Sequence, residues 1–178
     1  ELPVMIRDVF TNCIALEKIV VEEGENAQYK TLDGVLYNAD MTMLIFCPAA
    51  NVGVYVDGVP TYEIKVPTSV RLVASGAFLN VTGLKTVTFE EFDKTDANYG
   101  QQLLTLGNTE NAYIYWGYES YEYSTTAVKV AVFGGIRSSI TKVNLPSHLA
   151  KIGEAAFANK GANTVEVAIN TDAKNLIL

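Results

Sequence analysis

Residues 67–89 read PTSVRLVASGAFLNVTGLKTVTF and residues 146–167 read PSHLAKIGEAAFANKGANTVEV. Laid over each other, the two stretches share an opening proline, an Ala-Phe pair ending eleven residues later at Phe78 and Phe157, and a closing apolar pair two residues apart. The frame extends to Phe10 and Phe133. Five positions before the four phenylalanines stand Met5, Val73, Val128 and Ile152, and immediately before them stand Val9, Ala77, Val132 and Ala156. After each Phe comes an apolar triplet with offsets of three and two: Leu16, Ile19, Val21; Leu84, Val87, Phe89; Ile140, Val143, Leu145; Ala162, Val165, Val167. The gap from Phe to triplet is six residues in the first two copies, seven in the third and five in the fourth, so length drift is confined to one loop. Self-similarity at a period of about two dozen residues identifies a repeat architecture and outranks local propensity as a guide to fold.

Each triplet predicts a strand. Residues two apart point to one side of an extended chain, so Ile19/Val21, Val87/Phe89, Val143/Leu145 and Val165/Val167 are expected to face the core. The outward partners are then Lys18, Val20, Thr86, Thr88, Lys142, Asn144, Thr164 and Glu166, mostly polar as a half-buried strand requires. A partial copy at residues 61–67 repeats the offsets with Thr61, Ile64 and Val66 before Pro67. Proline suits a strand end because it cannot donate to the ladder. One strand and one turn cannot bury their own apolar face. The units must therefore stack, with the phenylalanines expected in a column.

Two segments depart from the repeat. GVLYN and MLIFC are β-rich runs joined by Ala39, Asp40, Met41 and Thr42, which predicts a hairpin covering the side of the stack at about residues 29–48. A binding role for Asp33 or Asp40 is the alternative there. Asp33, Asp40 and Asp57 do not form the alternating acidic loop that calcium requires. The stretch from about 92 to 127 is an atypical insertion, and it contains YIYWGYESYEY with Tyr113, Tyr115, Trp116, Tyr118, Tyr121 and Tyr123. Aromatic rings give large contact area at low entropic cost and keep a polar edge for hydrogen bonding. Strands packed on the stack, a protein or self-association surface, and a glycan platform all remain open for it.

Composition narrows the function classes. The chain has 178 residues, 49% hydrophobic and 19% charged, ordinary for a folded domain. A net charge of −7 without a local basic cluster disfavours nucleic acid as partner. No apolar run approaches a membrane span, and no basic-then-apolar signal peptide is expected after Glu1. Cys13 and Cys47 match no metal spacing, and no metal or other cofactor is expected. The one histidine, His148, sits in the turn Pro146-Ser147-His148-Leu149, where a solvated turn residue is expected rather than a catalytic base. Glu22, Glu23 and Glu25, like Glu90, Glu91 and Asp93, follow strands directly and read as solvated loop charge rather than paired catalytic carboxylates. No phosphate loop or nucleophile elbow is present, so the chain is expected not to be an enzyme.

The phrases ELPVMIRDVFTNCIALEKIVVEE, VPTSVRLVASGAFLNVTGLKTVTF and LPSHLAKIGEAAFANKGANTVEVA resemble BspA-like leucine-rich repeats, and YKTLDGVLYNADMTMLIFCP resembles the hairpin that interrupts such arrays. Cys13 holds the family's Cys slot in one copy, whereas Val81 and Lys160 hold it in others. The resemblance implies an α/β, leucine-rich-repeat-like solenoid with short parallel strands, irregular or short helical turns and one β-hairpin, spanning residues 1–178 as a single domain. It further implies a bacterial, secreted or cell-surface recognition module for protein partners or adhesion. Stacked repeats form extended binding surfaces, which agrees with recognition rather than chemistry. A structural or self-associating spacer is the alternative, and carbohydrate binding through the aromatic stretch is a third reading. The candidate sites are that stretch and the outward strand residues.

Overall fold

The computed structural model describes residues 9–10, 12–22, 24, 27–97, 99, 104–107, 113–114, 127–128, 131–153, 156–158 and 164–170. Among the described residues the strands follow in order: β1 (Tyr29–Leu32), β2 (Val35–Asn38), β3 (Met43–Phe46), β4 (Tyr55–Val56), β5 (Val59–Pro60), β6 (Glu63–Val66), β7 (Leu72–Val73), β8 (Thr86–Phe89), β9 (Leu104–Leu106), β10 (Tyr113–Ile114), β11 (Ala127–Val128), β12 (Lys142–Leu145), β13 (Leu149–Ile152) and β14 (Glu166–Ile169).

The triplets build the front sheet. Its order is β14-β12-β8-β6, every neighbouring pair is parallel, and Ile64, Val87, Val143 and Val167 stand in one register. Strands β6, β8 and β12 bury alternate residues: Ile64, Val66, Val87, Phe89, Val143 and Leu145 are at most 5% exposed, whereas on the edge strand β14 Val167 is half-buried and Ile169 exposed. That is the alternation expected from a strand with one wet face.

The chain returns through a second sheet of order β1-β2-β3-β7-β9-β13, in which β3, β7, β9 and β13 run parallel and β1, β2 and β3 form an antiparallel meander. Where irregular or short helical turns were expected on this side, the segments after Pro67 and Pro146 form short strands and turns, and Val9 alone among the described residues is helical. The reason lies in the text after each proline. SVRLV and SHLAKI offer apolar residues close enough to pair with their neighbours and too few to complete an amphipathic helix. The main core lies between the two sheets and draws on Leu44, Val73, Leu106 and Leu149 from one and the inward triplet residues from the other.

The phenylalanines stack, with one correction. Phe78 and Phe133 lie parallel at 5.0 Å, and Phe133 and Phe157 at 5.1 Å. Phe10 instead stacks on Phe46 at 5.5 Å in a separate small cluster with Leu36 and Ile45. The β2–β3 hairpin causes the division. It sits inside the second sheet rather than on the flank of the stack, burying Val35, Tyr37, Leu44 and Cys47 toward the main core and Leu36, Ile45 and Phe46 toward the first copy. Backbone bonds place Cys47 in the next slot of the column, because Cys47 N–H donates to Ala77 as Phe78 does to Val132 and Phe133 to Ala156. Burial pushes the Cys47 thiol pKa up, so this cysteine acts as a small apolar filler.

Asp-Gly pairs set two tight reversals. Asp33-Gly34 and Asp57-Gly58 are the two-residue loops of the β1–β2 and β4–β5 hairpins, and all four residues have positive φ between 51° and 79°. A reversal of this twist demands that conformation at both positions.

Candidate recognition face

The outward residues of the front sheet form two rows. Register aligns Glu63, Thr86, Lys142 and Glu166 in one row and Lys65, Thr88, Asn144 and Ala168 in the other. Strands in a sheet lie about 4.8 Å apart, so the four strands present a surface roughly 14 Å wide. Side chains bond across it: Thr88 Oγ1 donates to Glu63 Oε1 at 2.7 Å, and Asn144 Nδ2 donates to Thr88 Oγ1 at 2.9 Å. Lys142 Nζ lies 3.0 Å from Glu166 Oε1. Two lysines and two glutamates balance, leaving a face without net charge that offers hydroxyl, amide and ionic groups. Such a face suits a mixed polar surface rather than a polyanion.

The structure brings together Thr86, Thr88, Lys142, Asn144 and Glu166. Thr164 is exposed just before β14, outside the rows. Lys18 and Val20 do not join them: residues 16–21 form no strand, Ile19 N–H donates to Gly34, and the Lys18 side chain lies against Gly34. The first copy is captured by the β1–β2 turn, and Val20 remains exposed. Glu63 and Lys65 complete the rows and were not singled out from the sequence. The signal is present, because Ile64 and Val66 repeat the triplet offsets and residues beside an inward pair must point out.

Tyr113 lies on β10, whose backbone pairs antiparallel with β11 as Tyr113↔Val128 and Ile114↔Ala127. Tyr115, Trp116, Tyr118, Tyr121 and Tyr123 lie outside the described residues. On either side of this excursion the chain is fixed to the stack: Gly107 N–H donates to Val73, and Ala131 accepts from Gly76. Inside the presumed insertion, β9 takes the second-sheet slot between β7 and β13, pairing Leu106 with both Val73 and Ile152. Asp33 forms the β1–β2 turn through its backbone and is exposed, and Asp40 is exposed between β2 and β3.

His148 is corrected from solvated to buried. It is 3% exposed, because Phe92 folds over the Pro146 turn and meets the imidazole edge-on with 4.8 Å between ring centres. Glu91 accepts hydrogen bonds from Ser147 N–H at 2.7 Å, Ser147 Oγ at 2.6 Å and Asn170 Nδ2 at 2.9 Å. The Ser147 hydroxyl thus points to a carboxylate and not to the imidazole, unlike a nucleophile activated by a histidine. A second unforeseen feature is the β4–β5 ribbon, where Tyr55, Val56 and Val59 are 57–63% exposed.

The BspA type leucine rich repeat region, a family of six copies, matches residues 119–176 of the chain. No curated protein matches. Among solved structures, a leucine-rich repeat protein from Eubacterium ventriosum aligns at 21% identity and a TM-score of 0.44, covering 92% of this chain and 35% of that one. The pneumococcal vaccine antigen PcpA aligns at 18% identity and a TM-score of 0.41, covering 88% and 37%. A leucine rich cell surface protein from Faecalibacterium prausnitzii aligns at 16% and 0.37, covering 91% and 44%. The chain spans about a third of the first of these proteins.

Proposed function

Since the chain carries a BspA-type leucine-rich repeat region at residues 119–176, we propose that it works as a single non-enzymatic recognition domain, secreted or displayed on a bacterial surface, that binds a protein partner and serves adhesion. The observation that carries this reading is the front sheet. Four parallel strands in one register hold a charge-balanced polar surface, and repeat proteins bind through surfaces of this kind. The tyrosine-rich stretch at residues 113–123 is the second contact region, chosen for its chemistry. The test is capture of matrix proteins and glycans by wild type, a Thr88→Arg variant and a paired Trp116→Ala, Tyr118→Ala variant. A bound protein lost with either variant supports the reading, whereas a ligand indifferent to both sinks it.

The exposed apolar β4–β5 ribbon favours one further reading, a self-associating spacer. Sedimentation over a concentration series separates the two: a monomer at all concentrations removes the spacer, and an oligomer broken by Tyr55→Ser supports it.

A further inference from the structure

We infer that Glu91, Ser147 and His148 form a clasp across the ends of three front strands that holds at neutral pH and loosens when the buried imidazole takes a proton. Glu91 follows β8, Ser147 and His148 follow β12, and Asn170 follows β14, so one carboxylate ties three successive repeats through the bonds described above. The imidazole is outside this exchange. Its Nδ1 has no hydrogen-bond partner, the one such buried side-chain atom among the described residues. Glu91 Oε1 stands 3.6 Å away, too far to bond and near enough to act as a charge.

A buried polar atom without a partner is tolerable while the ring is neutral and costly once it is charged. The imidazolium would have to draw Glu91 off its three donors or leave its pocket against Phe92. Both movements unmake packing that does not deform continuously. The charged groups acting on the ring are Glu91 and Arg71, whose guanidinium lies 5.8 Å over the Phe92 ring. Burial, the largest effect, lowers the His148 pKa; Glu91 opposes this and Arg71 adds to it. A histidine with a depressed folded pKa contributes stability that is complete above its unfolded value, about 6.5, and is lost as pH falls through the folded value.

The chain contains one histidine, so proton NMR of the folded protein reads His148 alone. The expected midpoint lies below about 6.5. As pH falls from about 6.5 to that midpoint, the wild-type unfolding constant should rise by up to about tenfold per pH unit relative to His148→Gln, and level off below it. Amide exchange at Ser147, corrected for its intrinsic pH dependence, should accelerate over the same window. A midpoint at or above the ordinary value, parallel stability profiles, or unchanged Ser147 protection overturns the clasp. Should His148→Gln fail to fold, the wild-type titration and exchange still decide.

Discussion

The front sheet and the returning side of the stack come from the same repeats, yet among the described residues the insertions fall outside the front strands. From β6 to β14 the front keeps one register, with Val143 opposite Val87 on one side and Val167 on the other. The returning side admits a hairpin between Phe10 and the main core and, between Leu106 and Ala131, a long excursion; the loop between Cys47 and β6 adds a two-stranded ribbon. A slip of one residue in the front would turn its apolar set outward, so burial enforces its spacing. On the other side, bonds at single points such as Gly107 to Val73 suffice to re-enter the stack, and the loop between them is free to grow. The contrast explains why the fold is regular where strands pair in one register and irregular where one copy differs from the next.

The largest expected effect comes from the column that both sides share. Phe133 is fully buried between Phe78 and Phe157 and meets Phe89 edge-on at 6.5 Å. Phe133→Ala should cost about 3–5 kcal/mol in urea unfolding, because it leaves a void among rings on either side. Phe10→Ala, at a half-buried ring in the outlying cluster, should cost less than half as much. Equal losses would show that the hairpin does not divide the core.

Next in size is the tie at the strand ends. Burial alone would raise the Glu91 pKa, but the hydroxyl and amide of Ser147 and the neighbouring His148 hold it below the ordinary carboxylate value. The stability linked to its own titration is therefore full above about pH 4.3 and lost as pH falls through the lower folded value, apart from the loss that His148 brings below about 6.5. Glu91→Gln should cost about 1–2 kcal/mol at pH 7, the side chain being partly exposed, and should flatten stability against pH below about 4.3. A variant as acid-sensitive as wild type would remove the carboxylate from this role.

How far the sequence spoke follows the same division. On the front, the offset triplets report a strand buried on one face and place Thr86, Thr88, Lys142, Asn144 and Glu166 outward, but they also put Lys18, Val20 and Thr164 there and leave out Glu63 and Lys65. Where the returning side grew, the text located the β2–β3 hairpin but not its place inside the second sheet. Met5 and Val9 share the frame of the other copies, but no local pattern reveals that the hairpin captures residues 16–21 before they can pair with β6. His148 looked solvated because its turn carries Pro and Ser, while the residue that covers it, Phe92, lies 56 positions earlier in a stretch without periodicity. Long-range burial of this kind leaves no spacing to read.

The smallest effect tests the front face itself. Thr88 accepts from Asn144 and donates to Glu63, linking three strands through one hydroxyl. Thr88→Ala removes both bonds, yet Glu63 and Asn144 stay near water and recover their partners there, so the cost should be only about 0.5–1 kcal/mol. Val87, its inward neighbour on β8, is fully buried, and Val87→Ala should cost about 2 kcal/mol by cavity formation. If the order of these two losses were reversed in paired unfolding curves, the outward row would be part of the scaffold. With the order kept, the polar row is the part of the front sheet whose chemistry can change from copy to copy without loss of the stack, which is what a surface selected for recognition needs.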